Sequence, residues 1–149
     1  METKSRFWKE RLIVTELKKF LEKHPNTKGV EVMMPDNNGI IRGKRVDIYE
    51  AESLFEKGLN FCAATPLLDS GGDVIDGLIL GSDDGDPDIF GHPVDGSLNP
   101  VPWLEKEMAQ VLITLVDRDG NPYPYEARNI LNRVIKRLAD DDLYATIAV

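Results

Sequence analysis

A chain of 149 residues, 42% hydrophobic and 30% charged, has room for one ordinary domain, or one domain with part of another. A formal net charge of −8 argues against a nucleic-acid partner, because phosphate binding needs a basic face and none is written here. The longest apolar runs, 111–116 and 145–149, are strand-sized and too short to span a bilayer; a single cysteine, Cys62, excludes an intrachain disulfide framework and points to a reducing cytoplasm.

Met1 to Trp8 holds neither an apolar signal core nor a small-residue cleavage site. Residues 5–23 then predict an amphipathic helix, with Ile13, Leu17, Phe20, Leu21 and His24 at helical spacing and Pro25 as its stop. Val30 to Met34 reads as a strand. The cluster Pro35-Asp36-Asn37-Asn38-Gly39 is a turn, and Ile40 to Ile48 is the returning strand of a hairpin. A short helix follows over 51–57, with Ala51, Leu54 and Phe55 inward and Gly58 at its cap.

Residues 62–102 are rich in glycine and proline and predict a functional loop or disorder, broken only by an apolar segment at 74–80. Val111 to Asp117 is a strand and Asp119 to Pro122 a turn. Ala127, Ile130, Leu131, Val134, Ile135 and Leu138 form a helical stripe over 126–140, with Pro124 and Glu126 suited to the first turn. Leu143 to Val149 reads as a buried strand that runs into the end of the sequence as though cut.

No complete reaction centre emerges from these residues. Asp83-Asp84-Gly85-Asp86-Pro87-Asp88 suggests a hard-cation loop, but counting from Asp84 puts Ile89 at the sixth position and Asp95 at the twelfth, where a calcium loop needs glycine and glutamate. A solvated acidic loop fits better. His24 reads as a helix-end residue and His92 as a loop residue, and neither lies in a ligand-spaced motif. Arg42, Lys44 and Arg45 are the one basic cluster; alternation sends Arg42 and Lys44 to one strand face and Arg45 to the other. That cluster is either a solvated strand face or a contact with an acidic partner surface.

The order of motifs nevertheless resembles the glutamine synthetase family. The hairpin at Val30 to Val46 looks like its opening β-grasp hairpin, and Gly58-Leu59-Asn60-Phe61 like the lead into its active-site-covering loop. Ser82-Asp83-Asp84 with Pro87-Asp88, then Pro100 to Trp103, then Asp117 to Pro122 and Glu126 to Leu131, resemble successive landmarks over residues 20–149. The Arg-Gly-Lys-Arg stretch and the long loop from Cys62 are most similar to the γ-glutamylputrescine synthetase branch.

The resemblance implies an α+β fold: an amino-terminal helix over 1–25, a β-grasp domain over 26–118, and the first helix and strand of a truncated catalytic domain over 119–149. It implies an ATP-dependent glutamate–amine or glutamate–ammonia ligase, with Mg or Mn and adjacent subunits of a homo-oligomeric ring as partners. The metal ligands would lie beyond this stretch, so neither ATP nor metal is expected to bind it tightly. Where ammonia-using members carry an aspartate, this sequence has Cys62, which turns the expectation toward an amine. Cys62, Asp69, Asp76 and Asp83 become candidates for the substrate loop, and Arg42, Lys44, Arg45 and Trp103 for the subunit interface. Two other readings stand beside this one: a stand-alone, non-catalytic β-grasp interaction module, and an acidic calcium-binding domain.

Overall fold

The computed structural model describes residues 15–78, 85 and 87–148. A helix, α1, covers 15–23 of these and buries Leu17 and Phe20. It ends at His24, whose ring stacks 4.6 Å from that of Phe20 and whose carbonyl accepts the Thr27 hydroxyl at 2.8 Å.

Strict alternation then builds β1 (Gly29–Pro35), with Val30, Val32 and Met34 fully buried on one face and Glu31 and Met33 on the other. It pairs antiparallel with β2 (Ile41–Asp47), from Gly29↔Asp47 to Pro35↔Ile41. Gly43 allows the close approach of these strands, since a Cβ there would lie 1.9 Å from the Val32 carbonyl oxygen. Helix α2 (Ile48–Lys57) starts a turn earlier than its apolar stripe suggests. Asp47 accepts the Tyr49 N–H at 3.0 Å, which recruits Ile48 to Glu50 into the first turn.

Residues 62–102 carry more regular structure than their composition predicts. After β3 (Leu59–Cys62) and a 3₁₀ turn (Thr65–Leu67) come β4 (Asp88–Pro93) and β5 (Asn99–Val101). Gly91 and the terminal Pro93 hide β4 from a propensity reading. The strand is held because both its edges are paired, with β3 and with β6 (Met108–Val116). His92 therefore lies in a strand, not in a loop.

The sheet runs β2-β1-β6-β4-β3, with β5 also on β6. β1 and β6 are parallel and the other pairs antiparallel. The core lies between one face of this sheet and the helices α1 and α2, and joins Leu54, Phe55, Phe61, Val111, Ile113 and Leu115.

Helix α3 (Ala127–Asp140) forms as the periodicity predicts, but Asn129 is its one buried residue. The apolar stripe faces outward, with Leu131 52% and Val134 48% exposed. The buried strand expected at 143–149 is absent from the described residues: 143–148 have no regular structure, and Leu143, Tyr144 and Ile147 are exposed. No neighbouring strand edge receives them, so apolar composition alone does not make a strand. The fold is thus mixed α+β, one curled sheet with three helices.

Candidate functional site

Two polar junctions organise the end of the sheet where the β1–β2 turn lies. The first is built on Asp36, which is 1% exposed at the end of β1. Its Oδ1 accepts the backbone N–H of Asn38 at 2.9 Å and of Ile40 at 2.8 Å, and its Oδ2 accepts Arg42 Nε at 2.8 Å. Burial pushes the Asp36 carboxyl up, but the Arg42 bond and the two backbone donors outweigh it and hold it below the ordinary range.

Arg42 reaches on to a second segment. Its Nη2 donates to the Asp69 carbonyl at 2.9 Å. Asp69 shapes its own loop: Oδ1 accepts the N–H groups of Gly71, Gly72 and Asp73 at 2.8, 2.8 and 2.9 Å. The Asp73 N–H above all, against an opposing push from burial, with those of Gly71 and Gly72 and the Arg42 charge, holds this carboxyl below its usual value. Further bonds tie the same turn and loop together, from Asn38 Nδ2 to the Leu68 carbonyl at 2.8 Å and from the Asn37 N–H to the Pro66 carbonyl at 3.1 Å.

The structure therefore brings Arg42 and Asp69 together and separates the other predicted residues. Lys44 shares the Arg42 strand face, donates to the Asn60 carbonyl at 2.7 Å and sits 4.8 Å over the Phe61 ring. Arg45, on the opposite face, pairs with Glu31 across the hairpin. Cys62 is half-buried at the end of β3, in register with Asp88. Asp76 is exposed in a segment where Val74, Ile75 and Leu78 are also exposed, and Trp103 is 70% exposed beyond β5. Asp83, like most of the acidic run 83–86, lies outside the described residues.

Sequence reading saw Asp36 only as a turn residue. The signal was in the hairpin register: pairing Met34 with Arg42 sets that arginine beside a carboxylate two residues on.

The second junction joins α3 to β6. Glu126 is fully buried, and its Oε2 accepts the Asn129 N–H at 3.2 Å and lies 3.2 Å from the Thr114 hydroxyl. Its Oε1 has no hydrogen-bond partner. Burial pushes this carboxyl above its usual range, outweighing the Thr114 and Asn129 bonds. Asn129 Nδ2 donates to the Leu115 carbonyl at 2.8 Å and the Tyr123 carbonyl at 3.0 Å. Among the described residues no three His, Cys, Asp or Glu side chains are placed to hold a metal ion. No helix there is long and apolar enough to cross a membrane.

No family model matches the chain. Curated relatives do. Gamma-glutamylputrescine synthetase PuuA of Escherichia coli (strain K12) is 40% identical over 134 residues, covering 90% of this chain and 28% of that protein. Type-1 glutamine synthetase 2 of Dictyostelium discoideum is 32% identical over 109 residues, covering 72% of this chain and 21% of that protein.

Solved structures agree on the fold. A novel glutamine synthase homolog matches with a TM-score of 0.65 at 22% identity, over 77% of this chain and 27% of that one. The GmaS/ADP complex matches with 0.64 at 21% identity, over 85% of this chain and 26% of that one. The chain belongs to the glutamine synthetase family. Within that family it lies near the γ-glutamylputrescine synthetase branch, while spanning less than a third of the length of the curated relatives it matches.

Proposed function

We propose that this chain is the amino-terminal β-grasp part of an ATP-dependent glutamate–amine ligase, a cytoplasmic enzyme that works as a homo-oligomeric ring. The 40% identity with a γ-glutamylputrescine synthetase over 90% of the chain carries the reading. The topology supports the β-grasp assignment: a hairpin, a helix packed across it, and a late strand, β6, set parallel beside the first. Residues 1–25 serve as the leading segment, 26–118 as the domain, and 119–149 as the first part of the catalytic domain. The outward apolar stripe of α3 supports that last boundary, since it is a face shaped for burial.

The contribution of this part to the reaction is positional. The segment after β3 helps close the active site of a neighbouring subunit, and ATP and its Mg or Mn ions are held by the rest of the enzyme. Asp73 and Asp76, interleaved with the exposed Val74, Ile75 and Leu78, offer carboxylates for an ammonium group and apolar contacts for a methylene chain. Asp69 suits that role less, because one of its carboxylate oxygens already accepts three backbone donors. Trp103 and Arg45 remain on the exposed surface as the subunit-contact candidates.

The test compares the 149-residue chain with the same chain extended to the length of its relatives, measuring ADP release with glutamate and either putrescine or ammonia. The extended protein is expected to release ADP in a glutamate- and putrescine-dependent way, and the short chain to be silent. ADP release by the short chain, or a higher specificity constant for ammonia in the extended protein, would overturn the reading.

A further inference from the structure

Arg42 is one of two basic groups on its strand face, yet both its hydrogen bonds run inside the chain. It lies between two carboxylates that organise different pieces of backbone. Asp36 shapes the turn between β1 and β2, and Asp69 shapes the 69–73 loop. The guanidinium suits this place because its Nε and Nη2 point in different directions from a rigid plane. One satisfies Asp36 Oδ2 and the other the Asp69 carbonyl. Gly72 completes the fit, with a positive φ of +96° and a Cβ position only 3.1 Å from Arg42 Nη1. The Arg42 side chain is 20% exposed and that of Asp36 wholly buried, so this bridge is only lightly screened by solvent.

We infer that Arg42 is a positioning residue that pins the 69–73 loop to the β1–β2 turn and thereby sets the affinity for the amine, touching no reacting atom itself. The consequence for the amine rests on the ligase reading above; the pinning does not. The residues immediately beyond the pinned turn are Asp73 to Leu78, the stretch bearing exposed carboxylates and apolar side chains together. Arg42 extends the Asn37 and Asn38 ties to the Asp69 turn itself and so presents that stretch in one place. Without the cation, only the Asn37 and Asn38 bonds to the Pro66 and Leu68 carbonyls still tie the segment to the β1–β2 turn, and the internal bonds of the Asp69 turn open more often.

Two measurements separate the anchor from its consequence. In the 149-residue chain, Arg42→Met is expected to speed amide exchange of Gly71, Gly72 and Asp73 at least tenfold while β6 amides stay within twofold. Arg42→Lys, which keeps the charge but loses the fork, is expected to follow it, and Arg45→Met is expected to leave these amides unchanged. Unchanged exchange in Arg42→Met, or wild-type behaviour of Arg42→Lys, overturns the anchor. Should Arg42→Met fail to fold, Arg42→Lys alone decides.

In the extended protein, Arg42→Lys is expected to raise KM for putrescine about tenfold while kcat and the glutamate KM stay within twofold. A fall in kcat with KM unchanged overturns the positioning role. An extended wild-type protein with no amine-dependent activity would instead remove the ligase reading, and leave the exchange result to stand alone.

Discussion

Asn129→Ala tests how α3 is attached. The helix buries no apolar side chain of its own, so the polar junction at its first turn must hold it. Asn129 Nδ2 closes two bonds, to the carbonyls of Leu115 and Tyr123. Removing both forfeits about 1 kcal/mol each, a gross cost of about 2 kcal/mol, because the Leu115 and Tyr123 carbonyls keep the N–H groups of Tyr123 and Glu126. Alanine returns roughly 0.6 kcal/mol as the better helix former. The net cost of about 1–2 kcal/mol falls on the attachment of α3, because little else joins helix to sheet.

A lone helix of 14 residues is marginal in water, so detachment also means unwinding. At about 1.4 kcal/mol per factor of ten, exchange of the α3 amides should accelerate roughly 5- to 30-fold. Amides of β1 and β6 should not move. Hydrogen exchange followed by mass spectrometry resolves the two regions. Equal acceleration in β6 would show that Asn129 supports the whole domain. Unchanged α3 amides would show that the junction bears no load, and either result refutes the reasoning.

Three further outcomes follow from groups already described. Asp36→Asn should cost about 2–3 kcal/mol, from a charge-assisted network with one partner removed, and lower Tm by roughly 5–10 °C. Because the native Asp36 carboxyl is held below its ordinary value of 3.8, its contribution is present above that value and lost as pH falls through the lowered one; thermal melts of the variant should lack that acid limb. Glu126 has the opposite sign. Its native value is raised above 4.5, so its contribution is intact below 4.5 and lost as pH rises through the native value, and Glu126→Gln should gain on the wild type between pH 4 and pH 8 in urea titrations. Gly43→Ala would drive a Cβ into the Val32 carbonyl and should cost more than about 2 kcal/mol, read as a lowered urea midpoint.

Elements whose cause is local were legible in the sequence. Ala51, Leu54 and Phe55 marked α2 at helical spacing, and the Asp36–Gly39 turn marked the hairpin, because both signals lie within a few residues. Elements whose cause is a distant partner were not. β4 is a strand because β3 and β6 bond its two edges, and Asp-Ile-Phe-Gly-His-Pro carries little trace of that. Residues 143–148 show the converse, with apolar composition but no edge to join.

The stripe of α3 was read correctly as a helix, yet periodicity does not say what covers an apolar face. Of the candidate residues, the basic cluster was visible as charge. That Arg42 closes an intrachain bridge while Arg45 pairs with Glu31 depends on strand register and on a loop some thirty residues away.

The place of β6 in the sheet dictates an order of events during synthesis. It is the last of the described strands in sequence, and it occupies the middle, with β1 along one edge and β5 and β4 along the other. Before Met108 to Val116 leave the ribosome, the β1–β2 hairpin and the β3–β4 pair have no shared partner, and each presents a bare inner edge. Pairing Gly29 with Met108 then closes a loop of about eighty residues, a slow step by the measure of contact order. Until that step is complete the gap between β1 and β4 has the width and bonding pattern of a strand, and a strand from any other chain can enter it. Polypeptides ending before residue 108 should therefore aggregate, and a chaperone that acts on this protein has its work during the interval before β6 arrives.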